Sequence, residues 1–170
     1  LASMPPRKSE ILRGVKYYEK VLPQLNVDVR MNTVLSNEEL NGYDEVIIAA
    51  GAHNMDLPMP VENSNVVSAW DVLSGKEVTG KCVILGGGLV GAETAEYLAN
   101  KGHEVTIVEM MERIAAQESQ TVLPLMMKDF AEHNVQQLTN TKVSSISNNV
   151  VKAVNTKDEI EIEISADTVV

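Results

Sequence analysis

The chain has 170 residues, 44% of them apolar, which is enough for one domain of ordinary size with a hydrophobic core. Its net charge of −10, with no basic stretch, argues against binding to nucleic-acid phosphates or to anionic membrane surfaces. No segment approaches the roughly 20 apolar residues that span a bilayer, no signal peptide is visible, and the single cysteine, Cys82, cannot form an internal disulfide. We therefore expect a globular, cytoplasmic protein.

The first 65 residues predict few elements of secondary structure. The opening ten residues are polar and contain two prolines, which is typical of a loop, and apolar residues at helical spacing predict a helix over 9–22 with Ser9 as its N-cap. A short strand is predicted over 27–31. The continuous apolar run over 46–50 ends at Gly51 and predicts a buried parallel strand followed by a turn. These elements are too few for an independent core.

The segment 66–170 predicts a nearly complete domain. A short helix after an extended stretch is predicted over 66–75, and a helix over 119–133 in which Pro124 must lie in the first turn. Alternating apolar residues over 143–164 predict a small antiparallel meander of three strands. The chain stops at Val170, within what the pattern indicates is an apolar strand, so we expect it to be a fragment of a longer polypeptide.

The segment 66–170 contains a glycine-rich motif. It lies within the sequence KCVILGGGLVGAETAEYLANKGHEVTIVE at 81–109. A buried strand runs into a turn at Gly86, Gly88 lets the backbone approach a pyrophosphate, and Gly91 lets a helix pack closely on the strand. The helix begins at Leu89 and Val90, whose backbone end offers free amides and a positive dipole to phosphates. This is the pattern of a βαβ unit that binds a dinucleotide.

An acid at the end of the second strand informs the choice of cofactor. Glu109 lies 18 residues beyond Gly91, where its carboxylate can accept hydrogen bonds from both hydroxyls of an adenosine ribose. It would repel a 2′-phosphate, Met110 and Met111 bring no cation, and Arg113 is the one base nearby. The pattern favours NAD(H) over NADP(H). The alternatives are an α/β domain whose glycine turn binds no ligand and an S-adenosylmethionine-dependent methyltransferase.

Together with the sequence before it, this motif carries a family resemblance. The order YDEVIIAAGA at 43–52, AWDVL at 69–73 and then the glycine motif resembles the two-dinucleotide-domain flavoprotein oxidoreductases of the pyridine nucleotide–disulfide reductase superfamily. In them a strand ending in A-x-G closes the FAD domain, and a second glycine motif binds the nicotinamide cofactor. The resemblance implies that Ala50 and Gly51 belong to a flavin-binding segment and that the later glycines bind NAD(H).

The opening ASMPPRKSEI, followed by YYEKVLPQLNVDVRMNT, is most similar to the C-terminal half of the NADH:flavin oxidoreductases. That group includes NADH oxidase, 2,4-dienoyl-CoA reductase, enoate reductase and trimethylamine dehydrogenase. Complete members carry a TIM barrel with FMN, a four-iron cluster on cysteines, and FAD, which the resemblance implies for a parent protein. It also implies that Glu93 lies near the nicotinamide, where it would position the carboxamide or the ribose. The other reading of Glu93 is an exposed first-turn acid that favours the helix dipole.

The predicted fold class is therefore α/β, a Rossmann-like parallel sheet with a small antiparallel meander, preceded by a partial FAD-binding domain. We expect 1–65 to be the partial FAD-domain segment with a linker, and 66–170 to be the NAD(H)-binding domain. The expected function is to present NADH for hydride transfer to FAD, with electrons passed to an enoate, dienoyl or other acceptor. The expected partners are the dinucleotide and the flavin domain of the same polypeptide. The alternative is an NAD-binding sensor or structural module without redox catalysis.

No residue of the chain is predicted to act as an acid, a base or a nucleophile, since the flavin and nicotinamide carry the chemistry. The three histidines are scattered without metal-ligand spacing, and we expect no metal site. The fragment alone is expected to bind NAD(H) and to catalyse little or nothing.

Overall fold

The structure, a computed structural model, describes all 170 residues and divides them into two compact units. One unit joins Leu1–Ser9 to Asp56–Val170, and the other comprises Glu10–Met55. We call them the nucleotide unit and the small unit, and each is described by itself. The predicted division into 1–65 and 66–170 remains a prediction about the longer polypeptide.

The chain forms five helices and eight strands. The helices are α1 (Glu10–Gln24), α2 (Asn37–Leu40), α3 (Ala69–Leu73), α4 (Leu89–Asn100) and α5 (Leu123–Glu132). The strands are β1 (Val61–Glu62), β2 (Lys81–Leu85), β3 (Glu104–Val108), β4 (Gln136–Leu138), β5 (Thr141–Ser147), β6 (Val150–Asn155), β7 (Glu161–Ser165) and β8 (Thr168–Val169). None of the helices is both long and apolar enough to cross a membrane.

The small unit contains α1, which confirms the helix predicted over 9–22, and α2. The two strands predicted over 27–31 and 46–50 do not form, and those predictions are wrong. The side chains of Ile47 and Ile48 are 91% and 84% exposed. A parallel strand is held by hydrogen bonds to strands on its flanks and is buried on both faces, and the described chain pairs no strand with either segment. Gly51 has φ +85°, but residues 45–57 form no turn, so the predicted turn is absent as well.

The nucleotide unit is built around a parallel sheet in the order β4-β3-β2-β8. β2 runs beside β3 from Lys81 opposite Glu104 to Leu85 opposite Val108, and α4 makes the crossover between them. This confirms the predicted βαβ unit and the Rossmann-like class. β8 pairs with the edge of β2 opposite to β3. The chain therefore first extends the sheet from β2 through β3 and β4, and later adds β8 on the other side of β2.

A second sheet has the order β1-β5-β6-β7. β5, β6 and β7 are antiparallel neighbours, which confirms the predicted meander, while the short β1 adds to β5 in parallel. The acids predicted on the solvent face of the last strand are exposed there, and Glu163 forms an ion pair with Lys152 of β6 at 3.1 Å.

The core lies between the parallel sheet and its helices. The predicted inner face of α4 is confirmed by four apolar side chains that are at most 2% exposed, namely Ala92, Ala95, Leu98 and Ala99. α5 adds Phe130 and Met126, and its Pro124 lies in the first turn as predicted. Cys82 is a buried core residue of β2, and burial, with a smaller effect of the Asp167 carboxylate, raises the pKa of its thiol to about 11. The thiol is therefore unreactive at neutral pH.

Candidate functional site

The turn from β2 into α4 has the geometry that the glycine spacing predicts. Gly86 has φ +97°, a conformation that side-chain-bearing residues rarely adopt, and its amide donates a hydrogen bond of 2.8 Å to the carbonyl of Val108. Gly88 is the N-cap of α4 and has no side chain to satisfy the first amides of the helix. The amides of Leu89 and Val90 therefore lack intrahelical acceptors and can receive an anion.

Gly91 is required by packing. A Cβ atom built on it would collide with the carbonyl oxygen of Gly86 and would lie 3.4 Å from Cγ2 of Ile84. No such contact exists at Gly88, where nothing lies within 4 Å of a built Cβ. The first turn of α4 thus packs directly on the backbone that leaves β2, while the space over Gly88 stays free.

A fourth glycine, which the motif does not identify, is equally constrained. A Cβ atom on Gly87 would collide with Cδ1 of Ile114 and would lie 3.2 Å from Cβ of Glu109. The carbonyl of Gly87 accepts a hydrogen bond of 2.7 Å from the amide of Ala115. Gly87 therefore connects the turn to the loop that follows β3, and the third consecutive glycine letter at 86–88 was the available signal for it.

Glu109 is held in place through both of its carboxylate oxygens. Oε2 accepts a hydrogen bond of 2.7 Å from the amide of Gly87, and Oε1 accepts one of 2.7 Å from the amide of Met111. The residue is only 8% exposed. Each carboxylate oxygen can accept more than one hydrogen bond, so the side chain is fixed by the backbone and still has acceptor capacity towards a ligand.

A pocket of about 360 Å³ opens beside this carboxylate. It is lined by the turn, by Glu109 and by the loop after β3, through Gly87, Gly88, Leu89, Glu109, Met111, Glu112, Arg113, Ala116 and Gln117. Within the loop, Ile114 and Ala115 are buried and anchor it, while Met111 is 63% exposed. The volume falls within the usual range for small-molecule sites. Of the predicted site residues, the structure brings Gly88, Leu89 and Glu109 together in this lining.

Sequence reasoning missed the loop 110–117, apart from Arg113, because nothing in its composition marks it as a binding wall. The pocket lies at the carboxyl ends of β2 and β3, where strand order reverses between β3 and β8 on either side of β2. Open α/β sheets bind their ligands at such a switch point. The pocket therefore lies at the switch point of the sheet, and it is also where the free backbone amides of α4 and the acceptor carboxylate of Glu109 meet.

Glu93 is neither in the pocket lining nor an exposed acid. Its side chain is 16% exposed, and its carboxylate forms an ion pair and hydrogen bond with Nζ of Lys8, from the segment that opens the chain. The reading of Glu93 as an exposed first-turn acid is therefore wrong. Its predicted contact with the nicotinamide stays a prediction, as do the roles of Val90, which is 50% exposed, and Gly91.

Arg7 lies next to Lys8 and joins the two helices α4 and α5. Its guanidinium donates to the carboxylate of Glu96 and, at 2.5 Å, to that of Asp129. Burial raises the pKa of Glu96, and the guanidinium of Arg7 offsets this only in part. Burial acts in the same direction on Asp129, but its hydrogen bonds with Arg7 and Glu96 outweigh it and lower the pKa of Asp129. The deeper carboxyl therefore holds its proton to higher pH than the shallower one.

Ala50 and Gly51 lie in the small unit, in the exposed segment whose predicted strand does not form. Their assignment to flavin binding stays a prediction.

The lining residues fit a dinucleotide in their donor set. Free amides at the start of α4 suit a diphosphate, the fixed carboxylate of Glu109 suits a pair of hydroxyls, and the open space over Gly88 suits a ligand that touches the backbone. The lining contains no histidine, cysteine, serine or lysine. The groups that the lining offers a ligand are thus backbone amides, carboxylates, one guanidinium and one carboxamide.

Comparison with known proteins agrees with this geometry. The family described as "Pyridine nucleotide-disulphide oxidoreductase" matches residues 9–170. A bilirubin reductase from Mediterraneibacter gnavus is 45% identical over 168 residues, which is 95% of this chain and 26% of the relative. An NADH oxidase from Thermoanaerobacter brockii is 36% identical over 162 residues, covering 91% of this chain and 25% of the relative.

Among solved structures, a 2-naphthoyl-CoA reductase superposes on 99% of this chain and 26% of its own, with a TM-score of 0.84 and 24% identity. This likeness shows a shared fold. The chain spans about a quarter of the length of these proteins. The expected resemblance to the NADH:flavin oxidoreductase group is confirmed by the two relatives.

Proposed function

Because this chain belongs to the pyridine nucleotide-disulphide oxidoreductase family, we propose that it is the NAD(H)-binding module of a flavin-dependent oxidoreductase. In this role it presents NADH to FAD held by the flavin domain of the same longer polypeptide. The observation that carries the proposal is the fixed carboxylate of Glu109 beside the open turn at Gly88. This pair of features supplies acceptors for the adenosine ribose and donors for the diphosphate of one ligand.

The residues of the chain act by binding and orienting. The amides of Leu89 and Val90 receive the diphosphate at the positive end of the α4 dipole. Glu109 accepts hydrogen bonds from the ribose hydroxyls without having to reorganise, because two backbone amides already hold it. When bound, the nicotinamide supplies a hydride to a flavin, and the flavin passes electrons to the acceptor. FMN and an iron–sulfur cluster belong to this proposal only as parts of the longer protein.

We further propose that the acceptor in the longer protein is an enoate- or dienoyl-type compound or a related unsaturated molecule. Support comes from the resemblance to the NADH:flavin oxidoreductases and from a relative named bilirubin reductase. The chain alone is proposed to catalyse little or nothing, since the flavin that would accept the hydride is proposed to be held by the rest of the longer polypeptide.

NADH is proposed over NADPH because the carboxylate of Glu109 cannot turn away from a 2′-phosphate. Rotation of the side chain would break both hydrogen bonds with the amides of Gly87 and Met111 and leave buried donors unpaired. The lining contains one base, Arg113, and a second acid, Glu112, whose exposed side chain pairs with Lys157 at 3.6 Å. A 2′-phosphate would meet more repulsion than attraction.

Calorimetric titration of the chain with NADH and with NADPH tests the proposal. We expect NADH to bind more tightly, and we expect Glu109→Gln to weaken NADH binding roughly tenfold, through the lost charge and one mismatched backbone donor. Glu112→Gln is the matched control, because it removes an acid from the same lining whose side chain is 78% exposed. It should change the affinity less than twofold.

Tighter binding of NADPH would contradict the cofactor assignment. Equal effects of the two glutamine variants would contradict the ribose role of Glu109. Absence of binding by either nucleotide to a chain that melts cooperatively would contradict the proposed function.

A further inference from the structure

The helix that begins at the candidate site carries two acids that are largely shielded from solvent. Glu93 and Glu96 follow one another at helical spacing along α4, and Glu96 is only 2% exposed. The two acids are covered by the segment that opens the chain, which places Lys8 on Glu93 and Arg7 on Glu96. Two successive cations thus meet two successive acids on one helix face.

The position of Glu93 creates an electrostatic conflict with the candidate site. It lies two residues beyond Gly91, early in the helix whose free amides would receive a diphosphate. With its side chain only 16% exposed, its negative charge is poorly screened by water. An unpaired carboxylate here would weaken the attraction of the helix start for an anion.

The segment around Lys8 is built to stay on these two acids. Pro5 is buried, Arg7 adopts a left-handed backbone conformation with φ +65°, and its guanidinium binds two carboxylates on two helices. A residue other than glycine holds such a conformation only when its surroundings fix it. Arg7 therefore keeps Lys8 within reach of Glu93.

We propose that Lys8 is a positioning residue of the dinucleotide site, which neutralises Glu93 so that the start of α4 can accept a diphosphate. This inference rests on the proposed NAD(H) function and deepens it, because it adds a residue from the first ten of the chain to a site formed by residues 86–117. Lys8 does not line the pocket, and its effect is transmitted through Glu93.

A set of variants of the 170-residue chain tests this inference by calorimetric titration with NADH and with ADP-ribose, which has the diphosphate but lacks the nicotinamide. We expect Lys8→Met to weaken both ligands by a similar factor, roughly threefold to tenfold. Lys8→Arg keeps the charge and should bind within about twofold of the parent chain. The double variant Lys8→Met with Glu93→Gln should recover the parent affinity for ADP-ribose, because the charge that Lys8 neutralises is gone.

Lys101→Met is the matched control. It removes the same charge at the far end of α4, where Lys101 is exposed and lies 4.4 Å from the ring centroid of Tyr97. It should leave the affinity within about twofold.

Three results would overturn the inference. The first is a Lys8→Met variant that binds NADH as tightly as the parent chain, which would leave the proposed function intact. The second is a double variant as weak as Lys8→Met alone. The third is a Glu93→Gln variant that binds ADP-ribose more weakly than the parent, because the charge of Glu93 would then favour the diphosphate end of the ligand instead of opposing it. A parent chain that binds no NADH would instead remove the proposed function together with the inference.

Discussion

The glycines of the turn from β2 into α4 are required for different physical reasons. Those reasons decide which of them can be identified from the sequence. Gly86 and Gly91 are determined by local backbone geometry, so their spacing from a strand and a helix is enough to identify them. The need for Gly87 depends on Ile114 and Glu109, which approach it only in the folded chain. The run of three glycines at 86–88 marks the position, but the sequence does not show that Ile114 and Glu109 are the reason for it.

Two glycine-to-alanine substitutions should separate folding from binding. Gly91→Ala places a Cβ against the carbonyl of Gly86, and we expect it to destabilise the chain by about 1–3 kcal/mol and to weaken NADH binding as well. Gly88→Ala meets no protein atom within 4 Å, so it should cost no more than about 1 kcal/mol of stability, through the poorer N-cap, and still weaken NADH binding by roughly tenfold. Urea denaturation and calorimetric titration measure the two effects.

A Gly88→Ala chain that binds NADH normally would show that no ligand approaches the backbone there. Gly14→Ala, in the exposed helix α1 with nothing within 4 Å of the built Cβ, is the control for a harmless glycine replacement. It should leave the affinity unchanged.

At the scale of elements, the predictions are confirmed where the spacing of residues within one helix or strand determines the structure. They are wrong where the element forms only if a second strand pairs with it. The inner face of α4 and the alternation of β5, β6 and β7 are visible in spacing alone, and both are confirmed. The apolar run over 46–50 has the composition of a strand, but strand formation requires partners, and no strand of the chain pairs with it. The link that Arg7 makes between α4 and α5 was invisible because it joins positions far apart in sequence.

The carboxyls that meet Arg7 should give stability opposite dependences on pH. Because the folded pKa of Glu96 is raised, its contribution is present below the unfolded value near 4.5 and is lost as the pH rises through the folded pKa. Because the folded pKa of Asp129 is lowered, its contribution is present above the unfolded value near 3.8 and is lost as the pH falls through the folded pKa. The two carboxyls therefore respond in different pH windows.

Urea denaturation of Glu96→Gln and Asp129→Asn beside the parent chain measures both dependences. The stability advantage of the parent over Glu96→Gln should decrease as the pH rises above about 4.5, and its advantage over Asp129→Asn should decrease as the pH falls below about 3.8. Since the Arg7 side chain is 41% exposed, the Asp129 effect should stay below about 1 kcal/mol. Parallel curves for the two variants would contradict the assignment of the proton to Glu96.

At the scale of the whole molecule, the two units differ in how they are held together. The nucleotide unit has two clusters of buried residues, around the parallel sheet and beneath the meander. In the small unit no residue from 10 to 55 is buried, and the 15-residue helix α1 has no buried side chain. A helix of that length without packing is marginally stable in water.

Hydrogen exchange followed by mass spectrometry should report this contrast. Amides of the small unit should exchange within roughly seconds at neutral pH, whereas those of β2 and β3 should be protected by several orders of magnitude, close to the global stability of the nucleotide unit. Peptides from α4 provide the internal reference for a buried helix. Protection of α1 comparable to that of α4 would contradict this description of the small unit.

The double anchoring of Glu109 links cofactor choice to the integrity of the turn. Any replacement that would welcome a 2′-phosphate also removes the acceptor on which the amides of Gly87 and Met111 depend. A change to NADPH use would therefore first need a compensating substitution. A serine or an asparagine could provide it, if its side-chain oxygen accepts a hydrogen bond from one of those two amides. The proposed preference for NADH would in this sense resist single substitutions, and a change of preference would require two substitutions in a fixed order.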